Sequence, residues 1–187
     1  SLCTFLWLQS LSEAPSLLHN GRDIRTKYKA LGKWIAKQKG DKKVALVDIG
    51  AIGYFASHCH IIDLAGLTNH TIARRPGVLT QKKFEGNYIL AQRPDFIILH
   101  TKGPELWLKK KKRVSIRSPE SGEIFVIDLR HQPFLPPHLM FRVERNVFLT
   151  QKFQKEYIYK RSLNIRVQNG YPIYVQHIFQ RIRKTQK

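Results

Sequence analysis

Six residues in the first half of the chain have the types and spacing to hold a small ligand: Asp48, Gly50, Gly53, Tyr54, Asp63 and Asn69. Asp48 and Asp63 each follow a short apolar run, 44–47 and 61–62. If those runs are neighbouring parallel strands, both carboxylates lie at the C-terminal edge of an open α/β sheet, the edge where such sheets bind ligands. Gly50 and Gly53 permit a tight turn and close approach of backbone N–H groups to an anion. An edge of that kind suits a sugar, a phosphate or a peptide edge. The competing reading is structural: the carboxylates accept backbone hydrogen bonds and fix their own loops, while the glycines satisfy turn geometry. Gly50-x-x-Gly53 lacks the third glycine of the dinucleotide fingerprint.

Two further constellations invite metal chemistry. In His58-Cys59-His60 an extended backbone puts both histidines on one side and the cysteine on the other, whereas zinc needs three or four convergent ligands. Pro94-Asp95 with Glu105 is similar to the acidic entry of a metal-dependent nuclease core. That core requires Glu-x-Lys, and Glu105 is followed by Leu106 and Trp107. Asp95 therefore reads as a strand-start residue. Neither a catalytic residue nor a metal or cofactor is assigned from spacing.

The elements that must position these residues follow from periodicity. Ile24, Tyr28, Leu31 and Ile35 form one apolar stripe and predict a helix over 21–38, capped by Asn20 and ended by Gly40. Residues 44–47, 61–62 and 96–99 are continuous apolar runs that suit strands buried on both faces. A helical pattern (Phe84, Tyr88, Ala91) separates the last two and stops at Arg93-Pro94. Alternation of helices and short strands implies parallel pairing through crossovers. After His100 the texture turns β-rich: 114–117 and 124–129 flank a turn at 118–122, and residues 132–138 form a Pro-rich connection. Phe153 and Tyr157 suit one turn of helix. Asn169-Gly170, between 163–168 and 171–179, is a type I′ hairpin signal. The expected fold class is α/β: a small three-layer unit with a short parallel sheet (a Rossmann-like βαβ) followed by β-hairpin additions. Residues 1–19 are a lead-in, 20–108 the α/β core, and 109–187 a basic loop and β-rich part completing the same domain.

The stretch Val44-Ala-Leu-Val-Asp48-Ile-Gly50-Ala-Ile-Gly53-Tyr54-Phe, then His60-Ile-Ile-Asp63-Leu-Ala-Gly66-Leu67, resembles a block in the soluble C-terminal domains of bacterial GT-C type membrane glycosyltransferases that use polyprenyl-phosphate sugars. Leu31-Gly32-Lys33-Trp34, Arg93-Pro94-Asp95-Phe96 and Phe153…Tyr157 match as well. The resemblance covers residues 20–100 well and 140–180 loosely. It implies an extracytoplasmic domain after the last membrane helix, with the catalytic acid on an early loop elsewhere in the parent protein. The implied role is a non-catalytic accessory domain in cell-envelope glycan modification, on the periplasmic side of the inner membrane. Its implied partners are the membrane half of the same polypeptide and an anionic lipid surface or lipid-linked sugar phosphate. The chain departs from the family at Ser57-His58-Cys59, where a basic residue is usual, and over 109–137.

Composition bounds these readings. The chain has 187 residues, 42% of them hydrophobic, enough to bury a core. Lys and Arg number 33 against 13 Asp and Glu, a net charge of +20 that favours anionic partners. Candidate contacts to an anionic surface are Arg22 and Arg25 on the first helix and the run Lys109, Lys110, Lys111, Lys112, Arg113. The same charge supports an alternative, a basic module binding nucleic acid through phosphates. A third reading is a stand-alone α/β enzyme using Asp48 and Asp63. Two cysteines, Cys3 and Cys59, make no disulfide framework. Residues 2–8 (LCTFLWL) are apolar but well short of the ~20 residues that cross a bilayer. They suit either a docked strand or turn, or the end of a membrane helix. The opening Ser1 points to an upstream portion.

Overall fold

A computed structural model describes residues 25–101, 113–117, 124–128, 138–168 and 171–182. The fold is α/β, built on an open sheet of five strands in the order β2-β1-β3-β7-β6. Helix α1 (25–36) leads into β1 (Lys43–Leu46), and α2 (Ile49–Phe55) connects it to β2 (His60–Asp63). Helices α3 (His70–Ala73) and α4 (Gly86–Ala91), with a 3₁₀ turn at Leu79–Gln81 between them, precede β3 (Phe96–Thr101). β1 pairs in parallel with both β2 and β3, as alternation of helices and strands predicts.

The β-rich half enlarges this sheet and adds a second one. β4 (Arg113–Arg117) and β5 (Ile124–Asp128) form a separate antiparallel pair; the turn at 118–122 lies outside the described residues. Helices α5 (Arg142–Phe148) and α6 (Gln151–Glu156) follow, then the long hairpin β6 (Tyr157–Gln168) and β7 (Tyr171–Arg181). The register brings Gln168 opposite Tyr171, as a two-residue turn requires, with Asn169-Gly170 itself outside the described residues. β7 then lies antiparallel on β3. Phe153 and Tyr157 do not share a helical turn: Thr150 caps α6, the helix ends at Glu156, and Tyr157 opens β6 with its ring stacked on Phe153 at 5.3 Å.

Strand alternation divides the core into two layers. Val44, Leu46, Phe96, Ile98 and Ile178 face Leu31, Ile35 and Ile52 of α1 and α2. Ala45, Val47, Ile97, Leu99 and Phe179 face a larger cluster with Ile72, Ile89, Leu90, Val143, Val147, Phe148 and Phe153. Every residue of β3 is buried, because helices cover both its faces and strands flank both its edges. The α4–α5 contact is closest at Gly86, where an added Cβ would lie 2.0 Å from the carbonyl oxygen of Asn146. Gly50, by contrast, sits in the first turn of α2 with nothing within 4 Å of the position a Cβ would take.

These environments predict opposite outcomes for one chemical change. Gly86→Ala should destabilise by ~1–3 kcal/mol, the usual cost of overpacking. Gly50→Ala should be neutral or stabilise by up to ~1 kcal/mol through helix propensity. Urea unfolding of both variants checks this; equal effects would contradict the packing described.

Candidate functional site

The C-terminal edge of the parallel strands carries a buried carboxylate–imidazole network. Asp48 leaves β1 and precedes α2 without capping that helix through its side chain. Its Oδ2 receives the Tyr28 hydroxyl of α1 at 2.5 Å and lies 3.2 Å from Nε2 of His100. His100, near the end of β3, meets Oε1 of Glu144 through Nδ1, and its backbone N–H donates to Oε2 of the same carboxylate at 3.1 Å. Phe141 packs edge-on against the ring, and the Gln176 amide of β7 lies 2.9 Å from Nε2. His100 and Glu144 are fully buried, whereas the Asp48 side chain keeps 24% exposure.

Burial opposes a charge on His100, but Glu144 and Asp48 outweigh it and push the imidazole up to about 9. Burial pushes Glu144 up as well, and the His100 charge pulls it back. The ring therefore donates from both nitrogens, to Glu144 and to Asp48.

A second chain of hydrogen bonds crosses the antiparallel strands. Thr101 Oγ1 lies 2.8 Å from Nε2 of His177, whose Nδ1 is 2.7 Å from Ser162 Oγ, and Ser162 is 2.6 Å from the Tyr159 hydroxyl. Hydroxyls meet both nitrogens of this ring. Burial, reinforced by the charge on His100, therefore pushes His177 down to about 3.

The residues expected to line a pocket separate into different roles. Asp48 joins the network. Asp63 is 1% exposed and serves its own loop: Oδ1 accepts from the N–H groups of Ala65 and Gly66, and Oδ2 from the N–H and hydroxyl of Thr68. Gly66, at φ +82, lets the chain fold back over that carboxylate. Asn69 caps α3 by accepting from Ile72 N. Gly50 lies in the first turn of α2 and Gly53 further along the same helix, where Tyr54 is largely exposed. Asp95 accepts from Lys43 N and pairs with Arg181, as a strand-start residue would; Glu105 lies outside the described residues. His58 and His60 are exposed while Cys59 is buried, and no group of three metal-ligating side chains occurs among the described residues. Arg25 is exposed on α1 and Arg113 opens β4; Arg22 and Lys109, Lys110, Lys111 and Lys112 lie outside the described residues, as do residues 2–8.

Sequence reasoning missed His100, Glu144, Tyr28 and Gln176 as site residues. Two signals were present. His100 ends the apolar run Phe96-Ile-Ile-Leu99, which puts it at the same edge as Asp48. Glu144 falls inside the helical stripe of Val143 and Val147, where an acid needs a buried partner.

Fold and site together define a small mixed α/β domain with a charged edge at the C-terminal ends of its parallel strands. The chain belongs to the family described as "Domain of unknown function (DUF8728)", whose model matches residues 19–174. No curated protein and no solved structure matches it.

Two outcomes follow. Asp63→Ala leaves several buried donors unsatisfied and should cost ~1–3 kcal/mol in urea unfolding. Asp63→Asn should cost less, since it keeps one acceptor. The histidines set opposite pH limbs. His100, raised in the folded state, contributes stability that is fully present below 6.5 and lost as pH rises toward about 9. His177, lowered, contributes stability present above 6.5 and lost as pH falls toward about 3. Thermal midpoints should therefore peak near neutrality, with a shallower alkaline limb in His100→Gln and a shallower acid limb in His177→Gln. A wild-type midpoint that stays flat from pH 6.5 to about 9 would contradict the charged ring.

Proposed function

We propose that this chain is a non-catalytic accessory domain of a multi-spanning membrane glycosyltransferase that uses a lipid-linked sugar donor, lying on the periplasmic side of a bacterial inner membrane. The supporting observation is how the fold uses the block that resembles such domains. Asp63 and Gly66 build one loop, Ile52 and Ile62 pack the two core layers, and Asp48 balances a buried imidazolium. These are the tasks of a scaffold whose chemistry is done elsewhere in the parent protein. The partners that fit are the membrane half of the same polypeptide and an anionic lipid surface or lipid-linked sugar phosphate, to which a net charge of +20 is attracted. No helix among the described residues is long and apolar enough to cross a membrane, so the spans of this reading belong to the rest of the polypeptide.

One observation favours a second reading, a stand-alone enzyme. Asp48 is partly exposed against a charged imidazole, so acid–base work would fall to Asp48 and His100 rather than to Asp48 and Asp63.

Sequencing the locus and assaying the chain test both. The expected result is an in-frame upstream region encoding several apolar spans, and no sugar transfer from a polyprenyl-phosphate donor by the isolated chain. A start codon immediately ahead of Ser1 would overturn the membrane reading. Turnover by the isolated chain, abolished by Asp48→Asn, would establish the second.

A further inference from the structure

Between α3 and α4 the chain folds into a short, pinned turn. Lys83 N donates to Pro76 O at 2.8 Å, and Gln81 N donates to Val78 O at 2.7 Å. Lys82 Nζ ties the base of the turn to α3 through the carbonyls of Ala73 and Arg75, at 2.9 and 3.2 Å. Gly77, at φ +107, lies so close to Gln81 that an added Cβ would stand 2.5 Å from its carbonyl oxygen. Backbone bonds and a position that only glycine fits therefore set the turn.

What the turn presents is apolar. Val78 is 75% exposed and its neighbour Leu79 49%. One exposed apolar residue carries little meaning, but here a pinned backbone keeps two consecutive ones from folding back on the core. Cations flank them. Arg74 and Arg75 before the turn and Lys83 at its end are exposed, and no ion pair among the described residues engages any of the three. From Leu64 to Phe84 the sequence holds no acid, and Glu85 is the first after Asp63. Arg75 and Lys83 also border a groove of about 470 Å³ that Glu85 and Asn146 of α5 line as well, so both side chains have open space beside them.

We propose that the turn at 74–83 docks the domain on an anionic lipid surface. Val78 and Leu79 enter the interfacial region, and Arg74, Arg75 and Lys83 meet headgroup phosphates. Nucleic acid would use the same cations but leave the apolar pair in water. The contact thus falls to this turn, not to Arg25 or the basic run at 109–113. The inference deepens the proposed function and rests on it for a lipid surface within the domain's reach; the geometry of the turn stands apart from it.

Co-sedimentation of the full chain with vesicles tests it, using phosphatidylcholine alone and an equal mixture with phosphatidylglycerol. The chain should bind the mixed vesicles and not phosphatidylcholine alone. Arg74→Gln, Arg75→Gln and Lys83→Gln together should weaken binding on the order of 100-fold, at the few-fold per cation that headgroup contact supplies. Lys33→Gln, Lys37→Gln and Lys39→Gln, in and just after α1, remove the same charge. They should do far less, because exposed charges are screened beyond ~8 Å. Val78→Ser with Leu79→Ser leaves the charge unchanged and should weaken binding ~10-fold or more through lost apolar burial. All these positions are exposed, and Pro76 and Gly77 stay in place; should one variant of the turn unfold, the other decides. Equal losses in the two charge variants would overturn the proposal, as would undiminished binding by the serine variant. So would equal binding to phosphatidylcholine alone, or no binding to the mixed vesicles. RNA bound more tightly than the vesicles, with an affinity that the serine variant leaves unchanged, would overturn it in favour of nucleic acid. A locus without membrane spans would sink the proposed function while vesicle binding through the turn stands. Spans upstream, with vesicle binding indifferent to the turn, would do the reverse.

Discussion

A charged imidazole ring enclosed at the end of a fully buried strand constrains most of what surrounds it. His100 holds its proton because Glu144 and Asp48 flank it, and deleting one partner of such a buried pair costs ~3–5 kcal/mol, since the other charge is left uncompensated. The partners come from separate parts of the chain: Asp48 from the exit of β1, held by Tyr28 of α1, Glu144 from α5, and Gln176 from β7. One ring thus ties the parallel half of the sheet to the helices and hairpin that follow it. Where the chain returns from the β4–β5 segment, Met140 N donates to His100 O and Leu139 bridges Thr101, so this end of β3 is closed by backbone as well.

The pairing also sets the rotation of α5 about its axis. With Glu144 turned toward His100, Val143, Val147 and Phe148 enter the larger core layer. Asn146, two residues along, lies about 200° around the helix from Glu144 and reaches the groove. Gly86 then fixes how near α4 stands, because only a residue without a Cβ tolerates the Asn146 carbonyl so close. A charge requirement at the sheet edge and a steric requirement between two short helices together shape the groove wall.

His100 and His177 lie on neighbouring strands, and both are buried, yet they respond to the fold in opposite directions. The difference is their company. Two carboxylates make the protonated form of His100 favourable, while the hydroxyls of Thr101 and Ser162 satisfy His177 without supplying charge. Holding one ring charged also helps to keep the other neutral. Exposed basic residues such as Arg25, Lys29, Lys33 and Lys37 coexist with a core edge where carboxylates predominate.

The amino-acid sequence by itself determined the α/β class, the apolar strands β1, β2 and β3, the stripe of α1 and the β6–β7 hairpin. Each of these rests on local periodicity or turn chemistry, which a few consecutive residues encode. It also placed Asp48 and Asp63 at one sheet edge, since both follow short apolar runs. Only the tertiary structure decided that these two acids differ. Asp63 finds its donors within five residues, whereas the partners of Asp48 lie on α1 and β3, at Tyr28 and His100. Glu144, Gln176 and Asn146 were beyond local reading for the same reason. The antiparallel docking of β7 on β3 and the approach of α5 to α4 bring together residues far apart in the chain, and that proximity depends on packing, not on spacing along the sequence.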